Sequence, residues 1–195
     1  MRKRSQKTTR KAELINAAIH TIARSGTLDV TVADIAREAG MSTALAHHYF
    51  GSKDQMLLSA MREILRRYGM TVRAAVALAY GPRARLLAIL DASLSPDHFN
   101  AETVAAWLNF YVLAQRGGEA ARLLRVYHRR LRTNLLADLR LLVGDRAEDV
   151  AETLGALIDG VYLRQALSES ACAGHLHLPR NYLLAKLDDI TEDRC

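Results

Sequence analysis

The stretch TVADIAREAGMSTALAHHYFGSKDQ, residues 31–55, decides how the rest of the chain is read. Thr31 stands before VADIARE, where Ile35, Ala36 and Ala39 recur at helical spacing, and Gly40 stands where a helix is expected to stop. Only Met41 separates that glycine from Ser42, a second capping residue, which opens another short helix over 43–49. Two short helices joined by a tight glycine turn are the pattern of a helix-turn-helix. Ser52-Lys53-Asp54-Gln55 then reads as a capping box that starts a third, much longer helix.

In such a unit the second helix enters the major groove of DNA, whose width of about 12 Å admits a single helix. The segment TALAHHY is poor in apolar residues on one side. Leu45, with Ala46, is expected to face the preceding helices, leaving Thr43, Ala44, His47 and His48 outward. Imidazole and the Tyr49 phenol donate to phosphates, and a threonine reaches a base edge. Lys53 adds its charge to the positive end of the long helix, a natural phosphate clamp, and Thr31 holds the same kind of position one helix earlier. The paired histidines also invite a metal reading. Successive helical residues diverge by about 100°, however, and no third ligand lies near in sequence. Phe50 reads as the core residue that closes the unit.

Upstream, Leu14, Ile15, Ala18, Ile19 and Ile22 keep a helical period over about 8–24, with Gly26 as the stop. Before them Arg2, Lys3, Arg4, Lys7, Arg10 and Lys11 form a basic arm with no acid before Glu13, suited to phosphate or to solvent. Downstream, the long helix is expected over about 53–79, unbroken by Gly69. Further helices follow at about 83–94, 101–116, 119–142 and 146–168, with a last piece after Pro179. The expected class is all-α: a helix-turn-helix DNA-binding domain over 1–55, joined by the long helix to a helical ligand-binding and dimerisation domain over 56–195.

Composition agrees. The 195 residues are half hydrophobic and a quarter charged, with three prolines and a net charge of +6. No apolar run is long enough to cross a bilayer and no secretory signal opens the chain. Cys172 and Cys195 lack framework spacing, so a cytoplasmic location is expected. No phosphate-cradling glycine loop, nucleophile motif or zinc-protease motif occurs, so neither catalysis nor a cofactor is expected. Cys172, His175 and His177 make three possible metal ligands without a fourth, which reads better as a surface loop.

The stretch 31–57, with its Thr, Ile-Ala, Ala-Gly, Ser, Tyr-Phe and Lys in register, resembles the TetR family of bacterial repressors, and the match extends over about 10–57. The resemblance implies that Thr31, Ser42, Thr43, His47, His48, Tyr49 and Lys53 face double-stranded operator DNA.

Trp107, Phe110 and Tyr111 cluster within five residues, and Tyr127 and Tyr162 fall on the next two helices. Asp159 lies in the apolar run LGALIDGVYL, where an unpaired charge is costly, so it needs Arg164, another protein cation or a cationic ligand. Aromatic faces hold a quaternary ammonium with about 0.5–2 kcal/mol each. The same aromatics would also serve as ordinary core. AAWLNFY together with LIDGVYLRQALS is similar to the choline-responsive members of the TetR family, which repress glycine betaine synthesis genes. That resemblance implies choline as inducer, osmoprotectant metabolism as the regulated pathway, and Trp107, Phe110, Tyr111, Tyr127, Asp159 and Tyr162 as the ligand site. The rival within the family is a regulator of efflux or lipid metabolism that answers another cationic or greasy ligand.

One recognition helix gives little specificity, so a homodimer on half-sites about 34–36 Å apart, or a multiple of that, is expected. Leu124, Leu131, Leu135 and Leu142 stripe one candidate helix; Val150, Leu154, Leu157, Ile158 and Val161 stripe the other, with Gly155 and Gly160 permitting close approach. Such stripes also suit the chain's own core. The resemblance implies pairing through these last two long helices.

Overall fold

The computed structural model describes residues 2–25, 30–96, 98–167 and 177–192. Among the described residues the elements are helical, in the order α1 (Arg2–Ser25), α2 (Val32–Glu38), α3 (Thr43–Phe50), α4 (Lys53–Ala77), α5 (Pro82–Ser93), α6 (Ala101–Gln115), α7 (Gly118–Val143), α8 (Ala147–Leu167) and α9 (Leu178–Glu192), with a short 3-10 turn at Gly144–Arg146. The expected all-α class is what forms. Helix α1 starts well upstream of the expected boundary, taking the basic arm into the helix, and α4 runs unbroken through Gly69. Gly26, Cys172, His175 and Cys195 lie outside the described residues.

Two compact units result: Met1–Arg66 with Ala101–Leu123, and Arg67–Asn100 with Leu124–Cys195. The expected boundary at 55/56 follows the helix-turn-helix signature, whereas compactness follows packing, and it gathers α6 into the first unit. Helix α6 packs against α1, which also contacts α2, and α2 contacts α3. The reason lies in α6 itself. Val104, Ala106, Trp107, Phe110 and Leu113 fall on one half of its circumference and make a wide apolar face that must be covered. Leu14, Ala18 and Ile22 of α1 join Ile35, Ala46, Met56 and Met61 in the core of this unit. Polar ties reinforce it: His20 Nδ1 meets Glu102 Oε1 at 2.9 Å, and Arg62 pairs with Glu119. A cavity of about 20 Å³ remains among Ile22, Leu57, Met61, Ala106 and Phe110, room for about one water and no drug-sized ligand.

In the second unit Leu86, Leu90, Leu135, Leu139, Leu154, Ile158 and Leu183 are almost fully buried. This corrects the expected interface stripes. Leu131, Leu135, Val150, Leu154, Ile158 and Val161 belong to the chain's own core, while Leu124, Leu142 and Leu157 are half-buried. On α7 and α8 the large apolar side chains left outward, among the described residues, are Leu141, Leu163 and Leu167. Periodicity identifies a buried face without saying what buries it, and here the chain's own helices do. Asp138, almost fully buried, is held by a bidentate Arg85 guanidinium whose Nε lies 3.0 and 3.1 Å from the two carboxylate oxygens.

Candidate nucleic-acid interface and ligand site

The helix-turn-helix is built by its caps. Thr31 is extended (φ −93°, ψ 159°); its hydroxyl accepts from the Asp34 amide at 3.1 Å while the Asp34 carboxylate accepts from the Thr31 amide at 3.1 Å. This is a complete capping box, and its hydrogen bonds hold the Asp34 carboxyl below its ordinary value. Gly40 turns the chain at φ +62°, a conformation that side-chain-bearing residues rarely adopt. The Ser42 hydroxyl then accepts from the Leu45 amide at 3.2 Å and starts α3. The box expected at Ser52 forms by half. Ser52 Oγ accepts from the Gln55 amide at 3.2 Å, but the Gln55 side chain is turned to Glu119 Oε2 at 3.3 Å.

Helix α3 is anchored by Ala46 and Phe50, one turn apart and both buried; Leu45, expected with Ala46 to face the preceding helices, is only half-buried. Thr43, Ala44, His47 and His48 are exposed on the other side, with Ser42 and Thr31 exposed and Tyr49 and Lys53 partly so. The His48 and Tyr49 rings meet edge to face at 5.7 Å. His47 Nδ1 lies 2.9 Å from the Gly51 carbonyl, which can only accept, so Nδ1 carries the proton and Nε2 points away from that bond. Lys11 Nζ lies 5.5 Å from the Phe50 ring centroid, which brings that cation to the base of α3. The result is a short polar ridge with cations at its foot, a shape that suits phosphates and groove edges.

The six residues expected to bind ligand fall into two groups. Trp107, Phe110 and Tyr111 cluster on α6 in the first unit, with ring centroids 6.0 Å (Trp107–Phe110) and 5.5 Å (Trp107–Tyr111) apart. Tyr127, Asp159 and Tyr162 belong to the second unit, where residues the sequence reading missed draw them together. Tyr68 of α4 meets Tyr127 of α7 edge to face at 6.1 Å and His98 at 5.8 Å, and Phe99 meets Tyr162 of α8 at 5.0 Å. Tyr68 donates to Ser93 Oγ at 2.9 Å, because Ser93 spends its own hydrogen on the Ile89 carbonyl at 2.7 Å. Tyr162 donates to the carbonyls of Ser93 at 2.8 Å and His98 at 3.2 Å.

Asp159 finds a protein partner that the sequence did not nominate by number: His128 Nε2 lies 3.2 Å from Asp159 Oδ2, a cation when its ring is protonated. The hydrogen bond to Asp159 raises the His128 pKa above its ordinary value, against a partial desolvation that lowers it. The negative charge of Asp159 also acts on both phenols. Burial first, then the neighbouring Tyr68 and after it Asp159, raise Tyr162, and burial pushes Tyr68 up to about 12, with Asp159 adding to it. The Tyr68, Tyr127 and Tyr162 rings thus gather near the partly exposed Asp159 carboxylate. Tyr68 carried no signal in sequence, since a lone tyrosine in a long amphipathic helix is indistinguishable from packing. Among the described residues no group of His, Cys, Asp and Glu is arranged to hold a metal ion.

Comparison with known proteins places these features in context. Residues 14–60 match the bacterial regulatory proteins of the tetR family, and residues 82–183 match the C-terminal region of the BetI-type transcriptional repressors. An HTH-type transcriptional regulator BetI from Brucella anthropi is 49% identical over 181 residues, 91% of this chain and 93% of that protein. Its counterpart from Agrobacterium fabrum is 54% identical over 159 residues, 81% of this chain and 77% of that protein. A transcriptional regulator from Saccharomonospora viridis, solved in complex with choline, shares the fold with a TM-score of 0.77 at 23% identity, covering 95% of this chain and 96% of that one.

Proposed function

We propose that this chain, which belongs to the TetR family of bacterial regulators as a BetI-type transcriptional repressor, is induced by choline. The observation that carries the ligand is the set Tyr68, Tyr127 and Tyr162 beside Asp159. A quaternary ammonium has no N–H to donate and cannot lose its charge, so it is recognised by ring faces and a carboxylate. The regulated genes are then those that convert choline to the osmoprotectant glycine betaine. The choline-bound Saccharomonospora protein has the same fold and is compatible with that reading. Trp107, Phe110 and Tyr111 are assigned to the ligand response by their clustering on α6, and Trp107→Phe tests them apart from the tyrosines.

Operator DNA is bound in the cytoplasm by a homodimer, through Thr31, Ser42, Thr43, His47, His48, Tyr49 and Lys53 of each copy. The exposed Leu163 and Leu167, aligned on α8 with Gly155, Ala156 and Gly160, support pairing through that helix. Two recognition helices must match half-sites about 34–36 Å apart or a multiple of it, and choline lowers operator affinity several-fold to over a hundredfold. The test is calorimetric titration with choline, tetramethylammonium and ethanolamine, followed by operator binding with and without choline. Saturable binding of the two quaternary ions but not of ethanolamine, lost in Asp159→Asn, is expected. No heat from any of them together with unchanged Trp107 fluorescence would remove choline and leave a repressor of an efflux or lipid operon.

A further inference from the structure

The second unit contains a segment tied to the rings of the proposed ligand seat. Residues 94–96 and 98–100 lie between α5 and α6, and the latter lead directly into the helix that packs on α1. The segment is held at both ends. The Tyr162 hydroxyl gathers the carbonyls of Ser93 and His98, 2.8 and 3.2 Å away. The His98 side chain, buried at 6% exposure, places Nε2 2.8 Å from Thr71 Oγ1. Thr71 donates its own hydrogen to the Arg67 carbonyl at 3.3 Å, so His98 Nε2 is the donor in that bond. The same imidazole meets the Tyr68 ring in a T-shaped contact at 5.8 Å.

We propose that His98 is the positioning residue that couples ligand occupancy to the DNA-binding unit, its imidazole tying the α5–α6 connector to Thr71 while resting on Tyr68. This inference rests on the ligand reading above. A cation that takes up the Tyr68 and Tyr162 rings changes the surroundings of His98 and of the hydroxyl on the connector carbonyls. The connector then transmits the change to the first residues of α6, where Glu102 meets His20 of α1. The protein interior has discrete packings rather than continuous deformation, so a small shift at the rings becomes a change of connector position.

Two variants test it without touching the proposed ligand rings: Thr71→Val, which removes the acceptor, and His98→Phe, which keeps an aromatic ring and removes the N–H. Both are compared with the wild type in choline calorimetry, operator affinity with and without choline, and amide exchange of residues 98–100 without ligand. Choline affinity within about threefold of wild type, with a choline effect on the operator reduced below about twofold, is expected, against the several-fold or larger effect of a working coupling. Amide exchange at 98–100 should rise several-fold in both variants as the connector tie is lost. A normal operator response in a folded Thr71→Val protein would overturn the proposal, and so would unchanged exchange. Loss of choline binding in Thr71→Val would also overturn it, by placing that bond in the seat itself. If the wild type fails to bind choline, the ligand reading falls, and the exchange measurement, which needs no ligand, still judges the connector tie.

Discussion

Choline affinity should rise with pH, and His128 should be the reason. Asp159 is shared between His128 at 3.2 Å and the proposed cation seat, and the His128 pKa is raised from 6.5 chiefly by that bond. Below the raised value the imidazolium occupies the carboxylate and an incoming cation must compete with it. Above it the ring is neutral and the competition ends. The two side chains are 47% and 32% exposed, so water screens the pair and its strength is about 0.2–1 kcal/mol. Calorimetry across about pH 6–9 should therefore show choline binding up to about fivefold tighter at the alkaline end. His128→Gln should flatten the profile at the tight end. The apo protein should respond in the opposite sense. A pKa raised on folding gives stability that is fully present below the ordinary value of 6.5 and lost as pH rises through the folded value, here by less than about 1 kcal/mol. Affinity that stays flat or falls with rising pH in the wild type would refute the shared carboxylate, as would an unchanged slope in His128→Gln.

Three further outcomes follow from the geometry. Thr31→Ala removes the complete capping box of α2 and should lower stability by about 1 kcal/mol in urea unfolding, with operator affinity falling as α2 frays. Arg85→Ala leaves the buried Asp138 carboxylate unpaired and should cost about 3 kcal/mol, whereas Asp138→Ala leaves a guanidinium with access to water and should cost less; paired melting curves decide the order. Leu163→Arg on the exposed face of α8 should shift the protein toward monomer in analytical ultracentrifugation while leaving helix content intact, and a dimer of unchanged affinity would move the interface elsewhere.

What the sequence determined by itself is local. The α2–turn–α3 unit was legible because its signals act within one helical turn: Thr31 three residues before Asp34, Gly40 at a positive φ, Ser42 three residues before Leu45. The outward residues of α3 followed from the same period, although that period could not tell Ala46 from Leu45 as the anchor. Helix number and order were legible for the same reason. What only the tertiary structure decided is which long helices cover one another and which polar groups meet across the chain. Tyr162 bonds Ser93 across 69 positions, and His128 meets Asp159 from the neighbouring helix. Tyr68 and His98 gain meaning only from those meetings, and the leucine stripes of α7 and α8 could be assigned to core rather than interface only once their covering helices were placed. Periodicity fixes a direction around a helix axis, while the partner in that direction is chosen by packing among segments far apart in the chain, where burial and close fit supply the free energy that no local rule contains.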